Sequence, residues 1–105
     1  MVVALVYIVF KSQREADKIL GVLLKENLVA CANTFCVNSV FEWKNKIKRV
    51  REVVSICKTK PALINKIEAK VRDLHSYDAP CILSWSASAN DSFEKWVLKE
   101  TVDLL

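Results

Sequence analysis

Glycine is almost missing from this chain, with Gly21 alone among 105 residues. Neither Gly-x-Gly-x-x-Gly nor the phosphate-cradling P-loop can be written from one glycine, so nucleotide binding by those routes is excluded. No apolar run approaches the ~20 residues that a membrane-spanning helix needs, so membrane insertion is not expected. There is no Cys-x-x-Cys pair, no low-complexity tract, no repeat and no linker. Histidine occurs once, at His75. Any site built on an imidazole therefore has to include the stretch from Asp73 to Ile82.

What is present fits one globular domain over residues 1–105. Hydrophobic residues make up 52% and charged residues 27%, enough for a packed core and a solvated surface. The opening run from Met1 to Phe10 is rich in β-branched residues. It lacks the basic start and small-residue cleavage site of a signal peptide and reads as a buried strand. Cys31, Cys36, Cys57 and Cys81 each sit inside an apolar or strand-like run. Small disulfide scaffolds place cysteines in loops, so these read as free, mostly buried thiols in a reducing compartment. Cytoplasmic localisation is the expectation. The formal net charge is +4, and Lys44, Lys46, Lys48, Arg49 and Arg51 crowd together beside Glu42 and Glu52. Such a cluster can meet phosphate or blunt a strand edge as a solvated hairpin tip; the second reading is preferred, and nucleic acid is not the expected partner.

The hydrophobic period changes along the chain. Ser12-Gln13-Arg14-Glu15 is a capping box. Ala16, Ile19, Leu20, Leu23 and Leu24 then recur at helical spacing, with Asn27 suited to the helix end. From Val29 to Trp43 the period is two, and it resumes after Lys44-Asn45-Lys46 through Val50, Val53, Val54, Ile56 and Cys57. This predicts a long β-hairpin with Asn45 at positive φ in its turn. Its arms are too long for two helices of so small a domain to cover, and another subunit is the obvious cover. Pro61 opens a second helix with Leu63, Ile64, Ile67, Val71 and Leu74 as its stripe. Pro80 ends it, and Cys81 to Trp85 is extended. Asp91-Ser92-Phe93-Glu94 reads as a second capping box before a helix that buries Phe93, Trp96 and Val97. Trp43, Trp85 and Trp96 are placed on apolar faces, in core or interface. The order β-α-β-β-α-β-α predicts an α+β, ferredoxin-like fold with a long hairpin and an extra C-terminal helix.

Several segments together resemble the CutA family of divalent-cation tolerance proteins. Leu28-Val-Ala-Cys-Ala-Asn33 is similar to the family's "L-A-A-C-V-N", and Val40-Phe-Glu-Trp-Lys-Asn-Lys-Ile47 to its "Y-x-W-x-G-K-I". Leu74-His-Ser-Tyr-Asp-Ala-Pro80 is similar to "L-H-P-Y-E-x-P", and Phe93-Glu-Lys-Trp96 to the closing "Y-L-x-W". The order and spacing match over nearly the whole chain. The resemblance implies a homotrimer of ferredoxin-like subunits joined through their hairpins, and a role in divalent-metal response with copper binding. Three departures stand out. Ser76 replaces a proline, Cys81 replaces an acid, and the return arm of the hairpin is basic from Lys46 to Arg51.

Two readings of His75 follow. In one, His75 and Asp78 cap a helix and hydrogen-bond backbone groups. In the other, His75 and Cys31 bind copper or another divalent ion, with Cys81 as an added local ligand, because imidazole and thiolate suit Cu or Zn better than Mg or Ca. A Cys–His nucleophile would need an oxyanion hole and a positioned third group, and no motif signals either, so no enzymatic activity is expected. The functional expectation is a trimeric metal-tolerance protein. The alternatives are a sensor of a small anionic ligand at subunit clefts, by fold analogy with the PII signalling proteins, and a nucleic-acid module using the basic hairpin.

Overall fold

A computed structural model describes residues 2–103. Four strands form an antiparallel sheet in the order β2-β3-β1-β4. β1 is Val2–Phe10, β2 Cys31–Trp43, β3 Lys46–Thr59 and β4 Ile82–Ser88. Helix α1 (Gln13–Lys25) follows β1, α2 (Ile64–Leu74) links β3 to β4, and α3 (Asp91–Glu100) follows β4. This is the ferredoxin-like α+β order that the sequence pattern predicts, with the additional terminal helix.

Alternation along β1 divides the sheet into two faces. Val6, Ile8 and Phe10 point to the helices and join Ala16, Ile19, Leu23, Ile67 and Val71 in one buried core. Leu5, Tyr7 and Val9 point the other way. Partners across an antiparallel ladder share a face. The register Phe35–Val54–Val9, Leu83–Tyr7–Ile56 and Trp85–Leu5–Lys58 therefore lines the face away from α1 and α2. On it Phe35, Leu83 and Trp85 are 43%, 54% and 44% exposed in the single chain.

The local signals explain most element ends. Ser12 Oγ accepts from Glu15 N at 3.1 Å, as a cap should. At the other end of α1, Asn27 takes φ 57°. Leu28 N donates to Leu23 O and Asn27 N to Leu24 O, a complete Schellman closure in which asparagine stands where glycine is usual. The hairpin turn is a two-residue one with Lys44 and Asn45 both at positive φ, the geometry that matches strand twist. β2 and β3 pair without interruption from Cys31–Lys58 to Trp43–Lys46. Thirteen paired residues at ~3.3 Å each span about 43 Å, which accounts for the 46 Å long axis of the molecule.

Three expectations need correction. Pro61 opens a 3₁₀ turn over Pro61–Leu63 rather than α2 itself, which starts at Ile64. The second capping box does not form. Asn90 is the N-cap residue and its side chain bonds Ser92 Oγ, while Glu94 Oε2 accepts from Val2 N at 2.9 Å. The free N–H at the start of β1 takes the carboxylate that the box would have used. Trp96 is not buried: it lies 41% exposed against Phe93, and Val97 alone is fully enclosed. α3 is held at its far end by Thr101 Oγ1 to Val97 O, Val102 N to Asn27 O and the Lys60–Asp103 ion pair.

Candidate functional site

The stretch from Asp73 to Ile82 carries the chain past the end of β1. β4 begins one residue too late to finish the ladder there. Val9 N still donates to Cys81 O at 3.2 Å, but the return bond to Val9 O comes from elsewhere. His75 Nε2 supplies it, at 2.7 Å. Val9 O can only accept, so Nε2 carries the proton. Tyr77 N can only donate, and it reaches Nδ1 at 3.0 Å, so Nδ1 is bare. Both ring nitrogens are engaged, the side chain is fully enclosed and the ring stacks on Phe10 at 5.5 Å.

Glu15 ties the same turn to α1. Its Oε2 accepts from Ser76 N at 3.0 Å and its Oε1 from Lys11 N at 3.3 Å. A capping-box glutamate is expected to reach back to the cap residue; this one reaches one residue further and across to the turn. Its Oε1 is 3.9 Å from His75 Nε2, too far for a hydrogen bond, and that N–H is already given to Val9. Burial pushes the Glu15 carboxyl up, but hydrogen bonds from Ser76 and the Lys11 N–H outweigh it and hold the pKa below the ordinary 4.5. As pH falls, the unfolded chain therefore takes the proton first. The stabilisation is whole above the ordinary carboxylate range and disappears as pH drops through the lowered folded value. Glu15→Gln is expected to cost ~1–2 kcal/mol at pH 7, the loss of one charge-assisted network. It should also flatten the acid limb of a urea-midpoint-versus-pH curve. An unchanged acid limb would assign that limb to other groups.

The turn's third anchor is Tyr77, whose hydroxyl donates to Glu52 Oε2 at 2.7 Å. Burial first, and then the Glu52 carboxylate, push this phenol up to about 12, so it remains a donor throughout the neutral range. Between the turn and the outer hairpin lies a cavity of about 800 Å³, open to solvent on one side. Phe41, Trp43, Glu52, Tyr77, Asp78 and Lys11 are on its wall.

His75, Cys31 and Cys81 do not meet within one chain. Cys31 pairs with Lys58, which is level with Leu5, on the face away from the helices. His75 stacks on Phe10, on the helix face, and bonds Val9, four residues further along β1. At ~3.3 Å per residue the offset along the strand alone is about 13 Å. Cys81 is exposed at the entry to β4, and burial followed by the Glu52 charge raises its thiol pKa. Cys57, in the core, is pushed up to about 11 by burial. All four thiols are free. No group of three His, Cys, Asp or Glu side chains converges among the described residues. Sequence reasoning missed Glu15 and the Glu52–Tyr77 pair as parts of this site. The Ser12-x-x-Glu15 spacing points to the cap but not to Ser76, and nothing local links Glu52 to Tyr77.

A four-stranded split β-α-β sheet, a hairpin that overruns its own domain and a turn locked onto the end of β1 by one histidine define a ferredoxin-like protein of distinctive outline. The family model described as CutA1 divalent ion tolerance protein matches residues 4–100. The chain belongs to that family. The divalent-cation tolerance protein CutA of Pyrococcus horikoshii is 35% identical over 98 residues, spanning 92% of this chain and 96% of that one. The CutA of Archaeoglobus fulgidus is 38% identical over 77 residues, 73% of this chain and 76% of its own. Among solved structures, CutA1 from P. horikoshii superposes with a TM-score of 0.92 at 33% identity, covering 95% of this chain and 99% of that one. CutA from A. fulgidus, described as periplasmic, gives 0.90 at 31%, covering 93% and 97%.

Proposed function

We propose that this chain works as a homotrimer in divalent-cation tolerance, taking up copper or a similar ion through its accessible thiols. The observation that carries the assembly is the uncovered sheet face. Phe35, Leu83 and Trp85 share it, and the outer hairpin adds Phe41 and Trp43 on the same face at 44% and 58% exposure. That much contiguous apolar surface is characteristic of an interface.

For the ion, Cys31 and Cys81 are the candidate ligands, and His75 is committed to the backbone. Thiolate suits copper, and binding has to displace the thiol proton, so affinity falls with pH. The four free thiols support a reducing, cytoplasmic setting, and the reading is of binding rather than catalysis. Calorimetric titration with copper tests this. Cys31→Ser is expected to weaken uptake about tenfold or more, in line with the loss of one ligand, and Cys81→Ser to have a smaller effect. His75→Gln should leave the affinity unchanged wherever the protein stays folded. Copper affinity that survives both cysteine substitutions would remove the thiols from the site.

A further inference from the structure

The basic cluster of the hairpin sorts by face. Alternation along β3 sends Lys46 and Lys48 to the side away from the helices, beside Phe41 and Trp43, and Arg49 and Arg51 to the helix side. Lysine is the usual means of blunting a strand edge. Arginine adds what lysine lacks, a planar fork of N–H donors that fits phosphate or carboxylate oxygens two at a time. The two kinds of cation are therefore kept apart, the forks all on one face.

That face lies beyond the body of the sheet. Pairing of β1 with β3 stops at Phe10–Val53, so Arg51 and Arg49 are past the end of the core. The proposed assembly buries the opposite face, with Phe35, Trp43 and Trp85. Two residues apart on one strand, the arginines start ~6.6 Å from each other. Asn38 is directly opposite Arg51 and Val40 opposite Arg49, and these four border a groove of about 290 Å³.

No carboxylate answers the two charges. Neither arginine makes an ion pair among the described residues. Glu52 follows Arg51 but projects to the other face, where Tyr77 holds it. The hairpin's one acid on the arginine face is Glu42, opposite Ile47 and nearer the turn, and it does not line the groove. Two guanidiniums side by side repel each other, and a dianion between them turns that repulsion into attraction.

The geometry points to a phosphate-binding site in this groove. Arg49 and Arg51 fork the phosphoryl oxygens, the Asn38 amide donates a further hydrogen bond, and Val40 supplies the apolar contact beside them. A phosphoryl group brings ~1.5–2 negative charges near neutral pH to match the two guanidiniums, where a carboxylate brings one. Free phosphate and phosphate carried on a small organic ester share this chemistry. The site shares no residue with the thiols or with the open sheet face, so it stands independently of copper binding and of the assembly.

Inorganic phosphate, glycerol phosphate and acetate are titrated into the full-length protein at fixed ionic strength. Calorimetry and the Arg49 and Arg51 Nε–H and Asn38 amide resonances follow the binding. Both phosphates are expected to move those signals, with acetate about tenfold weaker or more; the tighter phosphate tells whether the ligand is free or carried. Arg49→Gln and Arg51→Gln should each cost about tenfold or more, the loss of a charge-assisted pair of hydrogen bonds. Arg51→Lys keeps the charge without the fork and should recover little of it. Glu42→Gln removes the one acid of that face and should tighten phosphate binding, which no general loss of structure would do. Acetate binding as tightly as phosphate, or full affinity in Arg51→Lys, would reduce the groove to a diffuse positive surface and overturn the proposal. So would resonances that no anion moves because a neighbouring copy covers the groove.

Discussion

Replacing His75 by alanine is expected to destabilise the fold by about 3–5 kcal/mol, the range for an enclosed ring whose removal also leaves buried polar groups unpaired. Three losses coincide. The ring is fully enclosed and stacks on Phe10 at 5.5 Å, so its removal leaves a void against the core. Val9 O loses the donor that, among the described residues, reaches it on the β4 side, because β4 starts at Ile82. Tyr77 N loses its acceptor, and with it the turn that presents the Tyr77 hydroxyl to Glu52. Against a total stability of ~5–15 kcal/mol this is a large fraction. Urea midpoints at fixed protein concentration measure it, since oligomerisation makes apparent stability concentration-dependent. His75→Gln keeps an amide that can donate to Val9 O and should recover part of the loss. Phe10→Leu removes only the stack and should cost about 1–1.5 kcal/mol, as a near volume-conserving swap does. A His75→Ala cost below ~1 kcal/mol, the net worth of one ordinary hydrogen bond, would mean that water or a relaxed turn replaces the imidazole, and the histidine would again be free for a ligand.

The fold was legible in the sequence wherever the controlling interaction is local. The α1 stripe, the Ser12 cap, the Asn27 closure and the Lys44–Asn45 turn each depend on residues within a few positions of one another, and each forms where the pattern puts it. The site is not local. His75 and Val9 are 66 positions apart, Glu15 and Ser76 61, and Tyr77 and Glu52 25. A single-chain pattern contains no term for such pairs. The second capping box failed for the same reason, since its glutamate was claimed by Val2, far away in sequence. His75 illustrates the ambiguity most sharply. A lone histidine beside tyrosine, carboxylate and cysteine reads equally as a ligand or as a backbone plug, and the choice rests on where β4 stops, which only the ladder reveals. The tryptophans mislead in another way. An apolar position reserved for a partner has the same periodicity as one reserved for the core, so Trp43 and Trp85 look buried on paper and stand half-exposed in the single chain.

A single acid on the open sheet face should take the assembly apart. Trp85→Asp and Phe35→Asp each replace a large apolar side chain, in register with Leu5 and Val9 respectively, on the face away from α1 and α2. If that face packs against its copies, the substitution removes ~150–250 Å² of aromatic burial per chain. It also forces a carboxylate into a dry contact, at several kcal/mol for each unpaired charge. In a trimer the penalty is repeated in every subunit. The chain's own core is not touched, because Trp85 and Phe35 lie outside the buried cluster. The expected result by sedimentation velocity is a shift from trimer to monomer at micromolar concentration, with far-UV circular dichroism preserved. Leu24→Asp is the control: Leu24 is 44% exposed, as Trp85 is, but sits on α1, on the other side of the sheet. It should leave the trimer intact. A wild-type protein that sediments as a monomer would refute the assembly outright. Equal dissociation by Leu24→Asp and Trp85→Asp would place the interface on the helices instead of the sheet.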